Sequence, residues 1–396
     1  WVYNLPRINR ALNWRIDIAL TYLRRVVNPV KSLPTPDISI QPANIPSVGT
    51  PLSSTAVSTT TPIFSPTPTI THTPVPEKVL LNPPAYDEEK DKQDWNNCGP
   101  ATLAIYLRYY GWDGDQFDVS HIIKPKSDDR NVNVEELVYY VRTQAGWLNA
   151  EYRVGGNIDT IRKFIAANIP VMIEETFKTD RKYWPEDDRW AGHYLLITGY
   201  NDAMQQVTAQ DSELGPNQKI AYSKINENWQ SFNRVYILVF YPEQEPLVKE
   251  LLGDDWDMDV NRQHALETAE LETQLDPNNA FTWFNLGTNL TYFERYYEAA
   301  QAYDNARNIG LPNRMLRYQF APFIAYFNSG RTEELMVLTK FALKISRVSE
   351  EAMLWRGWGF YRMGDKDAAL REFRDALKVR PNYEDAKYAI DFVKND

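Results

Sequence analysis

The chain has 396 residues, too many for one ordinary core, so two or three folded units are expected. A net charge of −10 argues against a nucleic-acid partner, because a phosphate backbone needs a basic face. The single cysteine excludes an intrachain disulfide and, with four histidines, leaves little material for a zinc site, so no cofactor is expected.

No run of 18 apolar residues predicts a membrane span. The first residue is Trp rather than Met, which leaves room for a signal or anchor ahead of it. Residues 7–28 read as a basic amphipathic helix within a segment 1–31. Leu12, Ile16, Ala19, Leu20, Leu23 and Val27 are spaced for one face, among Arg7, Arg10, Arg15, Arg24 and Arg25. Such a helix suits an anionic membrane surface, or equally a solvated position leaning on the next domain.

Residues 32–76 turn to Pro, Thr and Ser, and about half of the 25 prolines fall between Pro34 and Pro84. That composition cannot repay its ordering entropy, which predicts a solvated, disordered spacer. Pro/Thr spacers hold domains away from a cell surface, so an exported protein is expected.

Residues 77–245 mix helices and strands. Helices are predicted at "CGPATLAIYLRYYGW", at "VNVEELVYYVRTQAG" and at "GNIDTIRKFIAAN", the last capped by Asn157. "VMIEETF", "HYLLITGY", "QVTAQD" and "RVYILVF" read as strands. Helices first and strands later suggest an α+β domain with an antiparallel sheet.

Residues 246–396 are helical and repetitive. Gly287 and Ala299 are separated as Gly357 and Ala369 are, and Tyr303 and Ala306 follow as Phe373 and Ala376 do. Gly330, Leu335 and Ala342 form a weaker middle copy, and Ala265 and Pro277 a partial unit before it. Small residues at these places let paired helices approach closely, and the pattern resembles tetratricopeptide repeats. An all-α array binding a protein or peptide partner is the reading.

The one cysteine, Cys98, opens a helical pattern, with Pro100 suited to its first turn and Gly99 permitting a close approach. A thiol at the positive end of a helix dipole is favoured as thiolate, the form that attacks carbonyls. A lone cysteine is also read as a small buried hydrophobe. An imidazole must pair with the thiol. His72 lies in the spacer, His264 in the array and His121 in a polar region. His193 heads the strand "GHYLLITGY", with Gly192 expected to leave its edge open. If the hairpin turns at residues 202 and 203, Asp211 returns opposite His193 and orients it, with Asp202 as fallback. Gln93, five residues before the cysteine, and the Cys98 backbone N–H are candidate oxyanion donors. Trp95 and Trp112 read as packing residues.

"QDWNNCGPATLA", "AGHYLLITGY" and "AQDS" together resemble the bacteriocin-processing, papain-like cysteine peptidases that cut after a double glycine, and more closely their stand-alone relatives. The resemblance covers roughly 77–245. It implies a papain-like α+β fold with Gln93 as oxyanion donor, Cys98 as nucleophile, His193 as base and Asp211 as orienter. Asn97 stands where the family commonly has an acidic residue or Gly. The loop "FKTDRKYWPEDDRW" is longer and more charged than usual, so double-glycine specificity is not carried over. The expected function is peptide or amide hydrolysis, with acyl transfer using the same residues. The alternative is an inactive peptidase-like domain that serves with the repeats as a scaffold.

Overall fold

The computed structural model describes residues 6–29, 32–37, 75–124 and 132–396. His72 and most of the Pro/Thr-rich segment lie outside the described residues. An antiparallel sheet with helices on both faces is followed by a long helical region, an α+β domain and then an all-α one.

The sheet order is β2 (Asn149–Arg153), β7 (Tyr236–Phe240), β3 (Val171–Lys178), β4 (Trp190–Asn201), β5 (Gln206–Asp211) and β6 (Gly215–Ala221), with β1 (Lys78–Leu80) also pairing β4. Strands β1, β2 and β6 were not legible in the sequence. They are short or carry charged and polar residues at every other position. Central strands read as continuous apolar runs because both sheet faces are covered. Met172, Leu196, Ile237 and Val239 join one core, while Val171, Ile173, Leu195, Ile197 and Leu238 join another. That split follows the two-residue period of a strand.

On the first face lies α3 (Cys98–Tyr109), with α4 (Gln116–Ile123) and α5 (Val134–Gln144) beside it; α2 (Glu88–Asp91) is a single turn before it. Gly99 to Leu107 are all buried, so α3 is the central helix of the domain. On the second face lie α6 (Ile158–Ala166), α7 (Tyr222–Trp229) and α8 (Glu245–Leu252). Asn157 caps α6 by accepting from the Thr160 N–H, as its sequence position predicts. Helix α8 lies past the expected boundary at 245, yet Val248 and Leu252 pack into the sheet's second core.

The helical region runs through α9 (Met258–Leu275), α10 (Ala280–Tyr292), α11 (Tyr296–Ile309), α12 (Met315–Tyr318), α13 (Ala321–Asn328), α14 (Thr332–Ile345), α15 (Glu350–Arg362), α16 (Lys366–Val379) and α17 (Glu384–Asn395). Neighbours pack in sequence, α10 on α11, α13 on α14 and α15 on α16. Gly287 and Gly357 are where helices close up. A Cβ at Gly287 would meet the Tyr303 ring at 2.7 Å, and one at Gly357 the Phe373 ring at 2.4 Å. Gly330 does a different job from the one expected, and Gly364 shares it. Each ends a helix at positive φ with nothing near the missing Cβ, so they are turn residues.

The array packs on the α+β domain, and one apolar core is continuous across both. Trp190 stacks on Phe232 with Phe281 beyond it, and Tyr318 meets its edge. Helix α1 (Pro6–Val27) lies against the far part of the array. Its Thr21 and Arg25 are buried, and Arg25 donates to the Ile345 carbonyl at 2.9 Å. Residues 32–37 continue along the array. Leu33 is buried, and the Pro34 carbonyl accepts from Arg307. The start of the expected spacer is therefore packed.

Candidate active site

Cys98 is the first residue of α3, preceded by Asn97, whose carbonyl accepts from the Ala101 N–H. The thiol is half-buried. The loop before it is tied by a residue the sequence did not single out. Buried Gln116 accepts from the Asp94 N–H and the Asn97 side chain, and donates to the Lys90 and Lys92 carbonyls. Four bonds from one amide fix this loop at the cysteine. The first turn of α3 is joined to the sheet through Thr102, whose hydroxyl donates to the Tyr194 carbonyl at 3.1 Å. Gly99 allows that approach, since a Cβ there would sit 3.3 Å from the Tyr194 ring.

His193 is buried near the start of β4. Its Nε2 lies 2.9 Å from Oδ1 of Asp211. Burial alone would push the imidazole pKa down. Hydrogen bonds with Asp211 and with Cys98, and the charges of both, overcome it and hold it well above the usual value. Asp211 is held below the ordinary carboxylate range. Its burial acts the other way and is outweighed by His193 and by the amides of Leu214 and Glu213. Those amides donate to the same Oδ1, at 3.0 and 2.7 Å. Asp211 thus ends its strand as a turn former and partners the imidazole at once.

The hairpin register differs from expectation. The turn spans Asp202 to Gln205, and Asn201 pairs with Gln206. Continued without interruption, that register would set Asp211 opposite Leu196, on the face away from His193. A bulge between Ile197 and Gly199 inserts Thr198 and sets Asp211 opposite Leu195 instead. Leu195 and His193 share a face, so the carboxylate reaches the ring diagonally. Asp202 lies at the hairpin tip, bound by Arg162 at 2.6 Å and by the Tyr222 hydroxyl at 2.7 Å.

Gly192 does not leave an open edge. A Cβ there would meet Phe232 at 2.7 Å and Tyr318 at 3.1 Å, so the glycine admits the array against β4. Gln93 is tied to the residue after Asp211. Its N–H donates to the Ser212 carbonyl at 2.8 Å, and its Oε1 accepts from the Ser212 hydroxyl at 2.9 Å. Directly across from His193 in the sheet stands Glu175, buried with one carboxylate oxygen unpartnered. Burial pushes its carboxyl up to about 7.

The charged loop between β3 and β4 closes one side. The Trp95 ring meets Tyr183 at 5.3 Å, and buried Trp184 lies under the guanidiniums of Arg314 and Arg25. Arg314 of the array pairs with Asp187 at 2.7 Å and donates to the Trp190 carbonyl. Trp112 packs edge-on against Tyr140. His121 is exposed near the end of α4, and His264 pairs with Asp255 on the surface of α9. Neither approaches Cys98 through any contact in the structure.

Residues 81–237 match the family model described as Peptidase_C39 like family. Among solved structures, the chain is similar to a C39-like peptidase from Bacillus anthracis at 16% identity. That match covers 41% of this chain and 96% of that one, with a TM-score of 0.31. It is similar to a double glycine motif protease from an AMS/PCAT transporter, solved in complex with the leader peptide. There the identity is 14%, the coverage 41% and 94%, and the TM-score 0.30. It is also similar to Xylellain, a cysteine protease from Xylella fastidiosa, at 13% identity, 42% and 87% coverage and a TM-score of 0.32. These structural likenesses are too distant to bear on the site. No curated protein matches the chain. On the family match, residues 81–237 form a domain of the Peptidase_C39-like family.

Proposed function

We propose that the protein is a cysteine peptidase or amidase acting on peptide-like substrates through Cys98, His193 and Asp211, with Gln93 as an oxyanion donor. The observation that carries this is the hydrogen bond from His193 Nε2 to Asp211, on a ring whose pKa Cys98 also helps to raise. A carboxylate on Nε2 selects the tautomer with its proton there. The lone pair of Nδ1 is then left for the thiol.

In the first step Nδ1 takes the thiol proton as Sγ attacks the substrate carbonyl. The oxyanion so formed accepts from the Cys98 N–H and from the Gln93 side-chain amide, whose Oε1 is already engaged by Ser212. The C–N bond breaks as His193 returns the proton to the departing amine, leaving a thioester. Water then attacks the thioester, giving a proton to His193, and the thiol is regenerated with release of the acid. Attack by an amine in place of water gives acyl transfer with the same groups.

We read the helix pairs of 280–379 as tetratricopeptide repeats. Near α10 their surface is occupied by the chain's own peptidase-like domain, where Asn289 and Asn233 exchange hydrogen bonds. A protein or peptide partner would use the surface that remains. The test is to incubate wild type and Cys98→Ala with a peptide library and sequence the cleaved ends, alongside labelling by a thiol-directed acylating probe. Cleavage and labelling by wild type alone are expected. Full cleavage by Cys98→Ala would overturn the reading.

A further inference from the structure

One side of the helical array, at the end of α14, carries a local charge opposite in sign to the chain's net −10. A cavity of about 720 Å³ lies between α1 and the end of α14, with Arg356 of α15 beside it. Six cationic side chains line it, and among the described residues no carboxylate does. Three of the six are engaged. Arg25 bonds the Ile345 carbonyl, Lys344 the Pro29 carbonyl at 2.7 Å, and Arg356 both carboxylate oxygens of Glu372. The other three, Arg24, Lys340 and Arg347, are exposed, and none pairs with a carboxylate among the described residues.

Beside these cations α1 shows an apolar face to solvent. Ile16, Leu20, Leu23 and Val27 stand at helical spacing, and all are exposed, Val27 at 84%. Leu23 and Val27 also line the cavity. The helix is seated by its other side, through buried Thr21 and Arg25, with Arg25 over the Trp184 ring. An amphipathic helix usually buries its apolar stripe against the protein; this one turns it outward next to cations that meet no carboxylate among the described residues. Apolar residues at the level of Arg and Lys side chains match the boundary between phosphate headgroups and acyl chains. A soluble acidic peptide would satisfy the cations and leave the stripe unexplained.

We propose that this face of the molecule docks on an anionic phospholipid bilayer. A phosphate headgroup enters among Arg24, Lys340 and Arg347, while Leu20, Leu23 and Val27 enter the acyl boundary. Because the chain is acidic overall, docking is confined to this patch and holds the molecule in one orientation. Beyond a Debye length of about 8 Å, repulsion from the remaining surface is screened.

The test is flotation of the full chain with vesicles of phosphatidylcholine alone or with phosphatidylglycerol added. Flotation with the anionic vesicles only, weakening as salt rises, is expected. The triple variant Arg24→Gln, Lys340→Gln, Arg347→Gln should lower affinity about a hundredfold, from the attraction typical of each basic residue near an anionic surface. Leu23→Glu with Val27→Glu should abolish flotation. All five positions are exposed, so an unchanged melting temperature checks that these variants fold. Equal flotation on both vesicle types, none on either, or no loss in the triple variant would overturn the proposal. Displacement by millimolar glycerol phosphate would also overturn it, in favour of a soluble anion.

Discussion

Ser212 and Gln93 hold each other twice, backbone N–H to carbonyl at 2.8 Å and hydroxyl to amide oxygen at 2.9 Å. The residue that follows the imidazole's carboxylate partner thereby sets the direction of the candidate oxyanion donor. With Oε1 taken, the Gln93 NH₂ points away from Ser212.

Ser212→Ala should therefore lower kcat about five- to tenfold with little change in KM, the worth of one net hydrogen bond. In a Gln93→Ala background, itself about a hundredfold slower, the same change should have no further effect. Steady-state kinetics of the four proteins checks this, and additive losses would show that Ser212 does not act through Gln93.

Asp211→Asn keeps an oxygen for the Glu213 and Leu214 amides but removes the charge facing His193. The imidazole should titrate at lower pH than in wild type, since Asp211 is one of the groups that raise it. Turnover should fall by about 10²–10⁴, the range for loss of a working general base. Histidine NMR across pH reads the first effect and peptide cleavage the second. An unmoved titration would remove Asp211 from its role.

Glu175 gives a test of stability against pH. In the fold its carboxyl keeps the proton up to about 7, against 4.5 ordinarily, because burial disfavours the ion. The folded state then binds more protons than the unfolded state between those values. Stability must fall as pH rises through that window. Above it the unpaired ion is buried at full cost, close to the charge of Asp211 and only partly offset by His193 and Lys224. Glu175→Gln should raise the melting temperature little at pH 4.5 and progressively more up to pH 7, with a plateau beyond. A gain of equal size throughout would exclude a titrating Glu175 as its source.

Arg314 ties the array to the loop beside the site through Asp187, and both side chains are fully buried. Arg314→Met leaves Asp187 charged without its partner and should cost about 3–5 kcal/mol. Adding Asp187→Asn should recover part of that loss. Chemical denaturation measures both, and limited proteolysis should cut the single variant first within 179–189. Equal stability of wild type and Arg314→Met would refute the clamp.

Much of this molecule is legible along the chain because its determinants are local. Pro100 and the apolar run after Cys98 specify a helix with the thiol at its start. Alternating and continuous apolar runs specify four strands, and Asn157 the start of a helix. Gly287 and Gly357 recur because two helix axes need a missing side chain at that point. The tertiary structure alone decides what depends on residues far apart. Whether Asp211 faces His193 turns on one bulged residue, Thr198, which hydrophobic pattern does not announce because both faces of β4 are buried. Gly192, Ser212 and Gln116 owe their roles to partners 19 or more residues away, and no local preference marks them. Helix α1 could be recognised as amphipathic from its spacing alone. Which side meets the protein was settled by packing, and the Thr21–Arg25 side is inward because Ile345 and Trp184 offer a carbonyl and a ring to a guanidinium.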